Sequence, residues 1–155
     1  MKNLLTAGRQ ALIQRLSTIT VDNGYLTNAG GNVRTGWLNE VLQERHVGFP
    51  LILIQKGKGK APTAGPAAIR VPAGFTIVGA VESTLEDFED AIEALEHDLL
   101  CCLMPSQSAF LDWLPRGISS LEVGAPDHYP PGEGMKAATV VIPIHLSIII
   151  QDSRA

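Results

Sequence analysis

Apolar residues return every three or four positions at the start of the chain, at Leu4, Leu5, Gly8, Leu12, Leu16 and Ile19. Arg9, Gln10, Gln14 and Arg15 fall largely on the other side, so the spacing predicts an amphipathic helix. That helix should stop where Thr18, Ile19, Thr20 and Val21 give way to the turn signal Asp22-Asn23-Gly24. Residues 25–34 read as two short extended pieces around an Asn/Gly turn, with a strand over 33–37. Pro50-Leu51-Ile52-Leu53-Ile54-Gln55 is apolar without alternation, which predicts a central strand covered on both faces. Residues 56–74 hold three prolines and four glycines and read as one long loop, after which 75–81 resume as a strand.

Ser83-Thr84-Leu85-Glu86 has the form of a capping box, predicted to open the second main helix. Leu85, Phe88, Ile92, Leu95 and Leu99 form its apolar stripe. Its other faces carry Glu86, Asp87, Glu89, Asp90, Glu93, Glu96 and Asp98 with no Lys or Arg, and Pro105 should end it. After a weak segment over 110–114 comes a short strand, Ile118–Val123, and then a second Gly/Pro-rich loop over 124–136. The closing strand alternates cleanly. Val140, Ile142, Ile144, Leu146, Ile148 and Ile150 share one face; Val141, Pro143, His145, Ser147 and Ile149 share the other. Pro143 has no N–H for a ladder, so this strand is expected at a sheet edge or with a bulge. A long apolar edge needs cover, which makes Val141, Pro143, His145 and Ile149 candidates for a subunit interface. The order of elements predicts a single α+β domain over 1–155, a mostly antiparallel sheet with two main helices packed on it.

Composition sharpens this picture. Of 155 residues 45% are hydrophobic and 18% charged, an apolar surplus that suits a core together with an interface. No apolar run reaches the roughly 18 residues of a membrane helix, and Arg9, Gln10 and Gln14 interrupt any signal-like segment. A soluble cytoplasmic product with no membrane contact is expected. The net charge of -4 conceals a division: residues 1–60 sum to +5 and the remainder to -9. Such a chain can pair with copies of itself, basic patch to acidic patch, although both patches can equally be solvated. The adjacent Cys101 and Cys102 lack ligand-spaced partners and read as buried small hydrophobes.

Catalytic patterns do not emerge. Lys56-Gly57-Lys58-Gly59-Lys60 is followed by Ala61 where a phosphate loop needs Ser or Thr. His46, His97, His128 and His145 are scattered without metal-site spacing, and no nucleophile elbow is present. A pI near 5.5 and 5% aromatic content suit neither a basic face nor a stacking platform for nucleic acid. The expectation is a non-enzyme without cofactor or metal.

One resemblance joins these features. The first helix, then Asp22-Asn23-Gly24-Tyr25-Leu26-Thr27-Asn28-Ala29-Gly30 leading into Val33-Arg34-Thr35-Gly36, then Phe49-Pro50-Leu51-Ile52-Leu53-Ile54, resembles the opening of bacteriophage tail-completion proteins, the tail terminators. It covers residues 1–55 as a sequence pattern and most of the chain as an order of elements. The resemblance implies a homo-oligomeric ring, hexameric in the family, that caps the tail tube in the virion and meets the neck proteins. DNA would pass through its lumen. On this reading Glu86, Glu89, Asp90, Glu93 and Glu96 line the channel or receive Lys56, Lys58 and Lys60 of a neighbouring subunit. The alternatives are a head-completion protein nearer the portal and, in another class, a small-molecule-binding homo-oligomer.

Overall fold

The computed structural model describes residues 2–44, 47–82, 84, 86–104, 111–131 and 137–151. In chain order its elements are α1 (Leu4–Leu16), β1 (Val33–Thr35), α2 (Leu38–Leu42), β2 (Leu51–Lys56), β3 (Thr63–Gly65) and β4 (Ala68–Glu82). They are followed by α3 (Phe88–Leu103), β5 (Ile118–Val123), β6 (Asp127–Tyr129) and β7 (Ala137–Gln151). Seven strands form one sheet in the order β1-β2-β4-β7-β5, with β3 also on β4 and β6 also on β7. Among the described residues β1 and β2 run parallel and the other pairs are antiparallel. The fold is α+β, as the pattern predicts.

The sheet's two faces carry different loads. Ile52 and Ile54 of β2, Phe75 and Ile77 of β4, and the even-numbered positions of β7 turn toward α1 and α3. There they meet Leu12, Leu16, Leu95 and Leu99, all fully buried. Each such aliphatic side chain contributes about 1.5–3 kcal/mol on leaving water. The other face is covered over part of its area by the short α2, whose Val41 packs on Leu51, Leu53, Val78 and Ala80. Leu51 to Ile54 are all buried because β2 lies inside the sheet with a layer on each side.

Several expectations are corrected. The 56–74 stretch is not a loop: β2, β3 and β4 form one long hairpin whose tip is Pro66-Ala67, with Ala67 at φ 56. Between the two paired regions Gly57 N donates to Gly74 O and Lys60 N to Pro72 O, so the proline-rich arm keeps its backbone bonds. In the second loop, β6 pairs with β7, while 132–136 lie outside the described residues.

Strand β7 is not an edge. It pairs with β4 over its full length without a bulge, and with β5 and β6 on its other side. Pro143 O accepts from Gly124 N at 2.8 Å, so the nitrogen of Pro143 faces that same side, in the gap between β5 and β6. No ladder bond is lost, and proline is tolerated in a central strand.

Helix α3 begins at Phe88 behind Asp87, which makes no side-chain cap bond. The predicted box falls on Ser83 and Leu85, outside the described residues, and Glu86 precedes the helix. Pro105 and Phe110, the first residue of the 110–114 segment, also lie outside them, and 111–114 form a turn and not a strand or helix. The 33–37 strand ends at Thr35, after which Gly36 at φ 125 turns the chain and Trp37 leads into α2 without a side-chain cap bond. Cys102 is buried as expected, but Cys101 is exposed.

Candidate assembly surfaces

The three lysines adjacent in sequence part company in space. Residues 57–60 cross the less-covered face of β4 as a strap seated on Gly74. A Cβ at Gly74 would stand 2.2 Å from Lys58 O, and one at Gly59 2.7 Å from Pro72 O. Glycine is required there because backbone meets backbone. His145 Nε2 lies 3.1 Å from Lys58 O, and Lys60 Nζ reaches Glu122 of β5 at 2.8 Å, spanning β4 and β7. The ammonium beside it lowers the Glu122 carboxyl below its ordinary range. Lys56 turns the opposite way and lies 5.8 Å from the ring centre of Phe75, on the helix-bearing face.

Lys56 belongs to a patch that sequence reasoning missed. Around Trp37, which is 52% exposed, stand Arg9 of α1, Thr35, Gly36, Lys56 and Phe75. The signal available was Gly36, whose left-handed turn throws Trp37 out at the β1 edge of the sheet. Nearby, Arg34 is engaged by Glu44 in a bidentate pair.

The acidic residues are also divided. Glu86, Glu89, Asp90 and Glu93 are exposed, as expected for a solvated face. Glu96 is half-buried, and His128 Nε2 of β6 lies 2.9 Å from its carboxylate. That contact draws β6 toward α3 and leaves a groove of about 590 Å³ between them. Phe88, Ile92, Ala138 and Thr139 line it, Glu89 and Glu93 border it, and Tyr129 stands 54% exposed beside it.

Asp98 is not on the acidic face at all. It is fully buried and accepts three hydrogen bonds: Leu26 N at 2.9 Å, Thr27 N at 2.8 Å and Thr27 Oγ1 at 2.7 Å. It thereby fastens the 25–30 segment, expected to be extended, as an irregular latch ending in the 3₁₀ turn Ala29–Gly31. Gly30 N donates to Ile19 O at 2.8 Å, completing the latch against the end of α1. Beside it, burial raises both the Cys102 thiol and the Tyr25 phenol, which neighbour one another. The thiol donates to Arg15 O, and Arg15 Nε donates to Cys102 O.

The interface candidates on β7 share the less-covered face. Pro143 is exposed, and Val141, His145 and Ile149 are half-buried. They lie at the middle of the sheet beside the strap rather than on a free edge. Among the described residues no cluster of three or more His, Cys, Asp or Glu could hold a metal ion. No helix among them is long and apolar enough to cross a membrane.

Set against known proteins, no family model matches the chain and no curated sequence matches it.

Proposed function

We propose that this protein is a structural component of a phage or prophage virion. Copies of it form a ring that terminates the tail tube and joins it to the neck, with DNA passing through the lumen. The observation that carries the reading is the surface left over after the core is built. Pro143 stands exposed on one sheet face with Val141, His145 and Ile149 half-buried on the same face, and Trp37, Ile69 and Tyr129 stand exposed elsewhere on the surface. Large apolar and aromatic groups distributed in this way suit burial against further protein. The exposed Glu86 and Asp90 suit a surface near DNA in transit, because like charge keeps the duplex from adhering. The tube protein, the neck proteins and other copies of the chain are the partners this role requires.

The test is the solution mass of the full chain by light scattering across concentration and salt, with microscopy of isolated tail tubes after its addition. A discrete ring, or a monomer that caps tubes, is the expected result. A monomer under all conditions that leaves tubes uncapped overturns the reading. Binding to purified portal and not to tube ends would move the protein to the head side of the neck.

A further inference from the structure

We infer that the contact between neighbouring copies is formed by the Trp37 patch of one protomer entering the α3–β6 groove of the next. This rests on the ring reading and names its interface. The two surfaces lie at opposite edges of the same sheet: Trp37 follows β1, the strand at one end, while the groove is closed by β6 on the far side of β7. Complementary patches at opposite edges cannot satisfy each other within one chain. They join copies head to tail, the arrangement that closes a ring when the rotation per step allows it.

Charge selects the occupant. Arg9 and Lys56 flank Trp37, and among the described residues neither is in an ion pair. Glu89 and Glu93 border the groove and are likewise without an ion pair among the described residues. Three other charged groups are already engaged in-chain: Arg34 by Glu44, Lys60 by Glu122 and Glu96 by His128. Lys56 is the lysine of the triplet that stands in the Trp37 patch, whereas Lys60 is held by Glu122 and Lys58 lies in the strap on the other face.

Chemistry suits the fit. An indole between two cations presents a broad apolar face with a charged rim. The groove presents the counterpart, Phe88, Ile92 and Ala138 within a rim of carboxylates. Its volume of about 590 Å³ can admit an aromatic side chain. Buried tryptophan and arginine are the residues on which association energy most often concentrates.

The experiment compares full-length variants by light scattering over a concentration series, with circular dichroism to verify folding. Trp37→Ala should weaken association about thirtyfold. The reversals E89K/E93K and R9E/K56E should each weaken it at least about tenfold, and all four changes in one chain should restore most of the loss. An equimolar mixture of the two reversed variants should likewise recover assembly, in closed species of alternating subunits, because each variant's patch then meets a groove of opposite charge while like copies repel. Folded variants that assemble like the wild type overturn this interface and leave the ring reading standing. A wild type that neither assembles nor caps tubes overturns both.

Discussion

Two segments rich in glycine and asparagine or proline look alike in sequence and are held in opposite ways. The 22–31 latch has little regular structure and depends on a few buried polar anchors: Asp98, Gly30 and the Tyr25–Cys102 neighbourhood. The 56–74 arm depends on a continuous backbone ladder, interrupted only at the strap, with its side chains largely in solvent. Where backbone groups find strand partners, exposed side chains contribute little and substitution is tolerated. Where they do not, single side chains must satisfy them, and each becomes indispensable.

The largest effect should come from Asp98→Ala. It leaves the amides of Leu26 and Thr27 without their acceptor in a buried site, at a cost of about 3 kcal/mol. Asp98→Asn keeps the shape but offers one acceptor oxygen instead of two, and should recover only part of this. Denaturant unfolding would check both. Stability within 0.5 kcal/mol of wild type, about the spread for uninvolved surface positions, would remove the latch from the comparison.

Close behind comes Gly30→Ala. Its Cβ would stand 2.6 Å from both Ile19 O and Ser17 O, backbone atoms that cannot step aside. A loss of about 2–3 kcal/mol is expected. Its neighbour Gly31 has nothing within 4 Å of its Cβ position, so Gly31→Ala should fall within about 0.5 kcal/mol of wild type. In the arm, Gly74→Ala displaces the strap at Lys58 and should cost about 1–3 kcal/mol, with loss of the His145 contact visible by NMR.

The latch also carries a pH signature. Burial raises the Cys102 thiol above its ordinary 9.0 and the Tyr25 phenol above its ordinary 10.0. The unfolded chain therefore releases these protons first as pH rises. Stability is full below about pH 9 and declines above it, the thiol leading and the phenol following. Cys102→Ala should shift the onset of that decline to the phenol's range in pH-dependent melting. An unchanged alkaline profile would show that the pair does not couple to folding.

This contrast explains what could be read from the chain beforehand. Helices α1 and α3, strand β5 and the buried run of β2 follow from local periodicity, which one segment displays by itself. The reach of β4 back to Ala68 does not, because Pro72 and Gly74 are strand-compatible only once strap and β7 lie alongside. Pro143 misled for the same reason: its harmlessness depends on a gap between two other strands. Asp98 was indistinguishable from its acidic neighbours, since its partners lie 71 and 72 positions away. Of the surface candidates, Lys56 and Lys60 were grouped by sequence although the sheet separates them. Trp37 gives no signal in the sequence, because one exposed aromatic has no period.

The smallest expected effect sharpens the comparison most. Lys60–Glu122 is the arm's one side-chain tie to β5 among the described residues, and both partners are solvent-exposed. Exposed pairs lose nearly as much to desolvation and side-chain ordering as attraction returns. Lys60→Ala should therefore leave the melting temperature unresolved from wild type at neutral pH. The sign of any residual contribution is set by Glu122, whose carboxyl the lysine lowers from its ordinary 4.5. That contribution is present above about pH 4.5 and is lost as acid protonates the folded-state carboxylate. Added salt should diminish it at any pH. The measurement is a set of melts for wild type and Lys60→Ala at pH 7 and pH 3, each at low and high salt. A Lys60→Ala loss as large as that of Asp98→Ala would mean that the arm, like the latch, hangs on individual side chains. A null result at pH 7 would leave its backbone ladder as the source of its order.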